Sequence, residues 1–318
     1  MAMNRVQFQK GLSIKEFQEN YGTVEKCEEW LENFRWPDGF HCPKCNYTHY
    51  CEVWHQNVKT FQCFNCRTQT TLTSGTIFHA SKLPLTTWFL AMYLMTQSKN
   101  AIAALELMRI LGVCYHTAWR LKHKLIQVMS ERENGRVLSG RIELDDAYFG
   151  GERSGGKVGR GSENKIPFLA AVEADEFGKP HFAVFSLVAS FSKHEIKEWS
   201  KKRIAKGSVV VSDGLACFRQ VQKDGVIHSP RVVGIGKKGT SLECFKWVNT
   251  ILGNLKNSIT GTYHSVKFGK YAARYLAEFQ YRFNRRFKLN EILTRLIVVC
   301  AKTGPRPESF LRMAEASC

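Results

Sequence analysis

The sequence predicts an α/β fold, a mixed sheet with helices, preceded by a small cysteine-rich ribbon and a helical region. Two CxxC pairs lie near the N-terminus, and helical periodicity dominates residues 84–128. An alternation of apolar and polar residues, typical of strands, begins at Arg141. At 318 residues the chain is long enough for roughly two domains of about 150 residues each.

The composition is strongly basic. There are 46 Lys and Arg residues against 28 Asp and Glu residues, and the net charge of +18 favours a polyanion such as nucleic acid as the partner. The first residues, MAMNRVQFQKGLSIKEF, carry scattered charges and no apolar run, so we expect no secretory signal. No apolar stretch approaches the length of a membrane span, and we expect no membrane partner.

The two CxxC pairs predict a structural zinc site. They are Cys42 with Cys45 and Cys63 with Cys66, at the spacing of a zinc ribbon. Four thiolates complete a closed tetrahedral shell around Zn²⁺, which leaves no position for a reactive water. The residues between the pairs suit a small β-hairpin. Three further residues in that hairpin are possible rival ligands, and we expect them to be ordinary filler: His49, Cys51 and His55.

A helix-turn-helix-like region is predicted between residues 84 and 128. An apolar helix over 84–97 precedes a second unit from Asn100, in which Gly112 separates a short helix from a basic one. A glycine-bearing turn between two helices, the second basic, is the layout of a helix-turn-helix. We therefore expect DNA contacts from Arg120, Lys122 and Lys124. A plain helical hairpin with a solvated basic face is the alternative.

The first predicted strand begins at Arg141 and reaches two adjacent aspartates, Asp145 and Asp146, before glycines end it at Gly150. Neighbouring side chains of a strand point to opposite faces, so we expect only one aspartate to face a site. Asp145 is the favoured one.

The elements after this strand have the order of a mixed sheet. They are a basic glycine-rich loop, a hairpin, a helix and a valine-rich strand, over 152–165, 168–173 with 181–188, 194–205 and 208–212. The last strand delivers Asp213 at its carboxyl end. Three strands, a helix and a fourth strand resemble the ribonuclease H-like order. Capping of a following helix is the alternative role of Asp213.

A later predicted helix carries Asn249 and, seven residues on, Lys256. Seven residues make about 1.9 helical turns, so both side chains project from one face, whereas Asn254 projects from another. Asn249 offers a neutral amide oxygen where a carboxylate would ordinarily lie, and Lys256 offers a point charge for a phosphate. Together with two aspartates on strands, this pair indicates a two-metal phosphoryl-transfer site.

A basic helix near residue 285 is a further candidate DNA interface. Its arginines alternate with aromatic residues, and we expect backbone contacts from Arg282, Arg285 and Arg286. A solvated helix face over an aromatic core is the alternative interpretation.

Five segments carry a family resemblance that spans most of the chain. They are the four cysteines, ELDDAYFGG at 143–151, SDG at 212–214, GTYH at 261–264 and YLAEFQYRFNRR at 275–286. In this order they resemble the bacterial insertion-sequence transposases of the aspartate-aspartate-glutamate class. The similar branch has an N-terminal zinc ribbon and a lysine seven residues after the third catalytic position.

The resemblance implies a ribonuclease H-like core that uses Mg²⁺ or Mn²⁺ to cut and transfer DNA strands at terminal inverted repeats. It aligns Asp145 and Asp213 with the catalytic, metal-binding aspartates and Lys256 with the family lysine. Asn249 replaces the usual glutamate, a variant of the same branch. The implied partners are double-stranded DNA of the element ends and the target, and further copies of the chain in a homodimer or higher oligomer. The implied location is the cytoplasm, at the nucleoid.

Four regions follow from these patterns. They are a segment with the zinc ribbon, a helical DNA-binding region, a catalytic domain and a tail, over 1–80 (ribbon at about 40–70), 81–135, 136–300 and 301–318. Two alternatives remain open for the function. One is a non-catalytic, domesticated DNA-binding protein, and the other is a nuclease or Holliday-junction resolvase on the same core.

Overall fold

The computed structural model of the protein describes residues 10–56, 58–150, 165–222, 225–231, 243–263 and 268–313. Most of the predicted glycine-rich loop, with Gly151, and His264 of the GTYH segment lie outside these ranges. The chain divides into two compact units, Met1–Val128 with Phe287–Arg312 and Met129–Arg286 with Met313–Cys318.

The described helices, in chain order, are α1 (Ile14–Tyr21), α2 (Val24–Arg35), α3 (Leu85–Gln97), α4 (Ala104–Leu111), α5 (Tyr115–Glu133), α6 (Lys193–Arg203), α7 (Lys246–Thr260), α8 (Phe268–Phe283), α9 (Ile292–Lys302) and α10 (Glu308–Arg312). Short 3-10 helices cover Ala216–Gln222, Glu243–Phe245 and Arg286–Lys288. The strands are β1 (Tyr50–His55), β2 (Val58–Cys63), β3 (Gln69–Thr71), β4 (Arg141–Phe149), β5 (Ile166–Ala174), β6 (Pro180–Leu187), β7 (Val209–Ser212) and β8 (Ile227–Pro230). None of the helices in the described ranges combines the length and apolar character that crossing a bilayer requires.

Local sequence signals explain several boundaries in the first unit. Ser13 and Glu16 form a capping box at the start of α1, with reciprocal hydrogen bonds of 3.1 and 2.8 Å. Gly112 ends α4 at a φ of 64°, in the left-handed region that glycine tolerates. The turn then leads into α5, so the predicted pair of helices is present.

The first unit also contains a three-stranded antiparallel sheet in the order β1-β2-β3. The β1–β2 pair is the hairpin expected between the cysteine pairs. Its core is thin and aromatic, because Phe61 and Phe40 stack at 5.0 Å with Trp36 and Tyr50 packed around them. A core of this size is typical of a domain that needs a metal to fold.

The second unit is a five-stranded mixed sheet in the order β6-β5-β4-β7-β8. β4, β5 and β6 are antiparallel neighbours, whereas β7 pairs parallel with β4 and β8 parallel with β7. In order of appearance along the chain this is 3-2-1-4-5; the first four are the strands that the sequence pattern predicts, and β8 is a fifth strand that it does not. The mixed α/β fold class is therefore confirmed.

Helices cover both faces of this sheet. On one face, α7 and α8 pack on Ala147 and Phe149 of β4; on the other, α6 and the Ala216–Gln222 turn pack on Ile142 and Leu144. Glu143 and Asp145 alternate with Ile142 and Leu144, so they belong to the α7 face. This placement decides which helix can meet Asp145.

The outer edge of β6 is covered by side chains at the end of α8. The Asn284 amide accepts the Ala183 N–H at 2.8 Å and donates to the Ala183 carbonyl at 3.0 Å. Gln280 accepts the Phe185 N–H at 2.9 Å. These side-chain amides take the place of a neighbouring strand, so the backbone groups of the edge are satisfied without one.

Candidate functional site

Three carboxylates meet where β7 ends beside β4. Asp145, Asp146 and Asp213 each place an oxygen within 4.8 Å of the other two. The parallel pairing explains why, because Leu144 lies opposite Ser212, the last residue of β7, so the next residue of each strand is an aspartate. Oxygens at this separation fit ligands that share a hard cation such as Mg²⁺ or Mn²⁺.

Asp213 is held at the end of β7 by a tight turn. Its Oδ1 accepts the N–H of Leu215 at 3.0 Å, and Gly214 between them has a φ of 85°, which favours glycine. The buried hydroxyl of Ser212 hydrogen bonds to the ring of His228 at 2.8 Å, which fixes the strand end against β8. Asp213 thus organises a turn, and its carboxylate also joins the acidic cluster.

Only one of the two adjacent aspartates is expected from the sequence to face the site, and the position of Asp146 differs from that expectation. Strand alternation predicts that it faces away from Asp145, yet its carboxylate also reaches the cluster. The described pairing of β7 with β4 stops at Leu144, so both aspartates lie beside an open edge rather than a continuous sheet. Asp145 also turns along the strand, because its Oδ1 accepts the N–H of Asp146 at 2.9 Å.

The cluster is electrostatically unfavourable without a cation. Burial raises the pKa of Asp145 to about 7, and the negative charges of Asp146 and Asp213 contribute in the same direction. The N–H of Asp146 and the positive charge of Lys256 act in the opposite direction. A divalent cation would favour the ionised form of Asp145 far more strongly than these two groups do.

Helix α7 carries the two other predicted site residues. Lys256 is exposed, and its effect on the pKa of Asp145 places its charge near the acidic cluster. Asn249 is part-buried in the first turn of the same helix, and Asn254 is exposed. The structure thus places Asn249 and Lys256 on the helix that packs over the Asp145 face of the sheet.

A further carboxylate, Glu143, was not singled out by the sequence. Its side chain is buried, and one oxygen accepts the N–H groups of Trp247 and Val248 at 2.9 and 2.8 Å, at the start of α7. Burial raises the pKa of Glu143, opposed by these two hydrogen bonds. The sequence does contain a signal that could have identified Glu143. It is a charged residue among the apolar residues of β4, two positions before Asp145.

The four ribbon cysteines form a second candidate metal centre. Their sulfurs all lie within 4.8 Å of one another, with Sγ to Sγ distances of 3.4 to 3.6 Å for three pairs. A tetrahedral Zn²⁺ with Zn–S bonds of about 2.3 Å requires sulfurs about 3.8 Å apart. The arrangement therefore fits zinc with a small expansion.

The two cysteine turns have the same geometry. The N–H of Asn46 donates to the carbonyl oxygen of Cys42 at 2.8 Å, and that of Arg67 to the carbonyl oxygen of Cys63 at 3.0 Å. Asn46 and Arg67 both have a backbone in the left-handed region. The hydroxyl and backbone of Thr68 hydrogen bond to Cys66 and lower the pKa of that thiol to about 6, which favours the thiolate that zinc binds.

The possible rival ligands are not part of the cysteine cluster. Among the described residues, the grouped ligand atoms are those of the four paired cysteines, without His49 or His55. Cys51 lies in β1, with its Sγ 3.9 Å from the carbonyl oxygen of Gln62.

The predicted DNA contacts on α5 separate into one exposed residue and two that face inward. Lys122 is 1% exposed, and its ammonium donates to the carbonyl of Ile102. Lys124 is part-buried, 5.6 Å from the ring centre of Trp88, and burial lowers its pKa. Arg120 is exposed beside Glu308 of α10, at 3.6 Å. The ammonium groups of Lys122 and Lys124 thus contact groups of their own unit, and DNA contacts from these two lysines stay a prediction.

The predicted DNA contacts in the last turn of α8 and directly after it also face inward. Arg285 is 9% exposed and forms a 2.6 Å ion pair with Glu133, and Arg282 is 8% exposed. Arg286 donates to the carbonyls of Pro180 and His181 at the start of β6, and burial lowers its pKa to about 10. These guanidinium groups have internal roles, and neither of the two interpretations made from the sequence anticipated that.

Comparison with known proteins identifies both parts of the chain. Residues 137–284 match the ISXO2-like transposase domain, and residues 22–69 match the transposase zinc-ribbon domain. A curated relative is an uncharacterized protein in transposable element ISH50 of Halobacterium salinarum, 24% identical over 220 residues, which are 64% of this chain and 71% of the relative. The acidic cluster, α7 and α8 lie inside the first match, and all four ribbon cysteines lie inside the second.

Proposed function

Because the chain belongs to the insertion-sequence transposases with an N-terminal zinc ribbon, we propose that it cuts DNA at the ends of its element and joins those ends to a target. The observation that carries the proposal is the convergence of Asp145, Asp146 and Asp213 at one edge of the transposase domain's sheet. The positive charge of Lys256 lowers the pKa of Asp145, which supports a role for Lys256 in the same site.

The acidic cluster is suited to hold Mg²⁺ or Mn²⁺, since both prefer carboxylate oxygens. When bound, such ions supply Lewis-acid stabilisation of the charge that develops around phosphorus. Asp145 and Asp213 are the principal ligands in this proposal. Asp146, as a third carboxylate, holds further negative charge next to them.

Helix α7 supplies the neutral and positive groups of the site. Lys256 binds a phosphate oxygen of the DNA strand and holds it in register with the aspartates. Asn249 contributes an amide oxygen in place of a third catalytic carboxylate, so the site carries one negative charge fewer than a glutamate would give.

The reaction is an in-line displacement at phosphorus. In cleavage, a water oxygen bonds to phosphorus while the bond to the 3′ oxygen breaks, and the departing oxygen takes up a proton. In transfer, the freed 3′-hydroxyl bonds to a phosphorus of the target, loses its proton, and displaces another 3′ oxygen. The same residues serve cleavage and transfer, because each step forms one phosphorus–oxygen bond and breaks another.

The ribbon and α5 have binding roles in this proposal. A structural Zn²⁺ held by the four cysteines fixes the ribbon fold and takes no part in the reaction, since four thiolates leave no open position. The exposed start of α5, including Arg120, contacts the DNA duplex. Joining two element ends requires at least two copies of the chain on the DNA.

Incubating the purified protein with labelled element ends, a target plasmid and Mg²⁺ or Mn²⁺ tests the proposal. We expect cut ends and joined products, both reduced at least a hundredfold in Asp145→Asn, because even the outer partners of metal ligands are worth 10 to 100-fold. Glu176→Gln, which changes an exposed carboxylate of the same unit, is the matched control. The assay should be run near pH 8, where Asp145 is ionised.

Other outcomes distinguish the alternatives. Nicks without joined products would indicate a nuclease or resolvase. Specific binding to the ends with no products in either metal would indicate a non-catalytic DNA-binding protein. Products that persist unchanged in Asp145→Asn would remove the acidic cluster from the reaction.

A further inference from the structure

The carboxylate of Glu143 acts as the N-terminal cap of α7, although it belongs to a strand about a hundred residues earlier. It accepts the N–H of Trp247 at 2.9 Å and of Val248 at 2.8 Å, the second and third residues of the helix. The residue at the helix's own cap position, Phe245, makes no side-chain capping bond, and the first turn contains no acidic residue. Glu143 therefore satisfies donors that a local Ser, Asp or Asn usually satisfies.

A cap from another element has a different consequence from a local cap. A local cap stabilises a helix wherever the helix lies, whereas a cap on β4 also fixes the start of α7 relative to β4. Glu143 is two residues before Asp145 on the same face of that strand. Asn249 directly follows Val248, so a backbone N–H held by Glu143 is one residue from a predicted site residue.

The burial of Glu143 makes the position of α7 relative to this carboxylate energetically important. The side chain is 1% exposed, so a charged carboxyl here is unfavourable unless its bonds offset the loss of water. The helix dipole and two N–H donors provide that offset only while α7 starts at this point. Any displacement of the helix would leave a buried carboxylate unpaired.

We propose that Glu143 is a positioning residue of the active site, which locks α7 to β4 so that Asn249 and Lys256 meet the acidic cluster held by Asp145. This inference rests on the proposed function for its catalytic meaning. Its structural part, the fixed distance between α7 and the metal ligands, stands separately and can be measured separately.

Two variants and a matched control test the inference. Glu143→Ala removes the cap, and Glu143→Gln keeps an acceptor oxygen of nearly the same reach. Ser192→Ala removes the N-cap of α6, whose Oγ accepts the Glu195 N–H at 3.2 Å, on the opposite face of the same sheet. It should lower the melting temperature comparably without touching α7.

For joining activity, we expect Glu143→Ala to lose 10 to 100-fold in rate constant per folded molecule, with less than a threefold change in Mn²⁺ affinity, because the aspartates lie on β4 and β7. Glu143→Gln should recover to within about fivefold of the unchanged protein. Ser192→Ala should remain within twofold. A loss in Glu143→Ala no greater than in Ser192→Ala, or no recovery in Glu143→Gln, would overturn the proposal.

A second readout does not depend on activity. Bound Mn²⁺ broadens nearby amide resonances with a steep dependence on distance, so the amides of Val248 and Asn249 report the gap between α7 and the cluster. We expect weaker and more variable broadening in Glu143→Ala, together with faster hydrogen exchange at Trp247 and Val248. Unchanged broadening would overturn the positioning role. If the unchanged protein joins no DNA, the proposed function fails while this measurement still decides where Glu143 holds α7.

Discussion

The carboxyl group of Asp145 is where the fold and the proposed chemistry conflict most directly. Burial and two neighbouring aspartates raise its pKa to about 7, so the metal-free protein holds a proton there that an unfolded chain would release near pH 4. A structure selected only for stability would not place three carboxylates at one buried strand edge. When a divalent cation binds between the three carboxylates, their ionised forms become favourable instead of unfavourable.

The raised pKa predicts how stability depends on pH. Between about pH 4 and pH 7 the folded protein binds more protons than the unfolded chain, so the free energy of unfolding falls as pH rises through this window. Asp145→Asn removes the effect and should be more stable than the unchanged protein at pH 8 by about 2 kcal/mol, with little difference at pH 4. Urea unfolding in Mg²⁺-free buffer, with zinc retained, measures this.

Glu176→Gln is the control for that experiment, because its carboxylate is exposed and should leave the pH profile unchanged. A parallel shift of both variants at all pH values would show that Asp145 is not the group responsible.

The pH dependence of metal binding should report the same ionisation of Asp145. A ligand carboxylate must be deprotonated, so Mn²⁺ affinity should fall about tenfold for each pH unit below 7 and be nearly constant above pH 8. Electron paramagnetic resonance of free Mn²⁺ at pH 6 to 8.5 measures the affinity. An affinity that is flat across this range would contradict a shared site at Asp145.

At the scale of single elements, the folding of the ribbon depends on zinc binding by its cysteines more than on its hydrophobic core. Cys45→Ser should reduce the zinc content from about one ion per chain to less than a tenth and unfold the β1–β2 hairpin, because the aromatic core there is small. Cys51→Ser, in the same hairpin but outside the cluster, should keep both zinc and fold. Elemental analysis and hydrogen exchange of the ribbon are the measurements.

The polar network at the end of α8 predicts a stability effect where the sequence suggested a binding effect. Glu133 pairs with Arg285 at 2.6 Å and accepts hydrogen bonds from Asn284 and Gln280. Although burial opposes ionisation, the arginine charges and these bonds lower the pKa of Glu133. Arg285→Ala should destabilise the protein by about 2 to 4 kcal/mol, since the carboxylate loses its main charge partner.

DNA binding distinguishes the two roles of Arg285. At a temperature where both proteins are folded, Arg285→Ala should bind a DNA duplex within twofold of the unchanged protein. Lys288→Ala, which removes an exposed lysine nearby, should cost less than about 0.5 kcal/mol of stability. Lost DNA affinity with unchanged stability would return Arg285 to the DNA interface.

Across the whole molecule, the net charge of +18 belongs to the surface, because the buried lysine and arginines of the described residues are matched in number by buried glutamates. Binding to duplex DNA should weaken steeply with salt, by about 0.9 in log–log slope for each phosphate contacted. If Lys256 contacts a phosphate, Lys256→Ala should reduce the slope by about one. Lys201→Ala, on exposed α6 beside Glu198, should leave it unchanged, as measured by fluorescence anisotropy.

The elements that sequence reasoning located best are those with strong local signals. The paired cysteines, the strand that ends before Asp213, and the hairpin predicted over 168–173 and 181–188 each depend on a few adjacent residues. The structures of these elements agree closely with the predictions, because each element is determined by residues that are close together in the chain.

What could not be predicted depends on partners distant in the chain. A helical pattern of basic residues has the same spacing whether its face meets solvent or an edge strand, so the roles of Lys122 and Arg285 were not visible. Glu143 bonds to residues more than a hundred positions away. Asp146 joins the cluster because β7 ends at Ser212, and strand alternation contains no information about where a neighbour stops.

The amide-covered edge of β6 limits how copies of this protein can associate. Many proteins assemble by continuing a sheet from one molecule into the next, with main chain pairing to main chain. Here Asn284 and Gln280 already occupy the Ala183 and Phe185 backbone groups that such growth would need. Continuation of the sheet through the β6 margin would first have to displace both side-chain amides from these backbone groups.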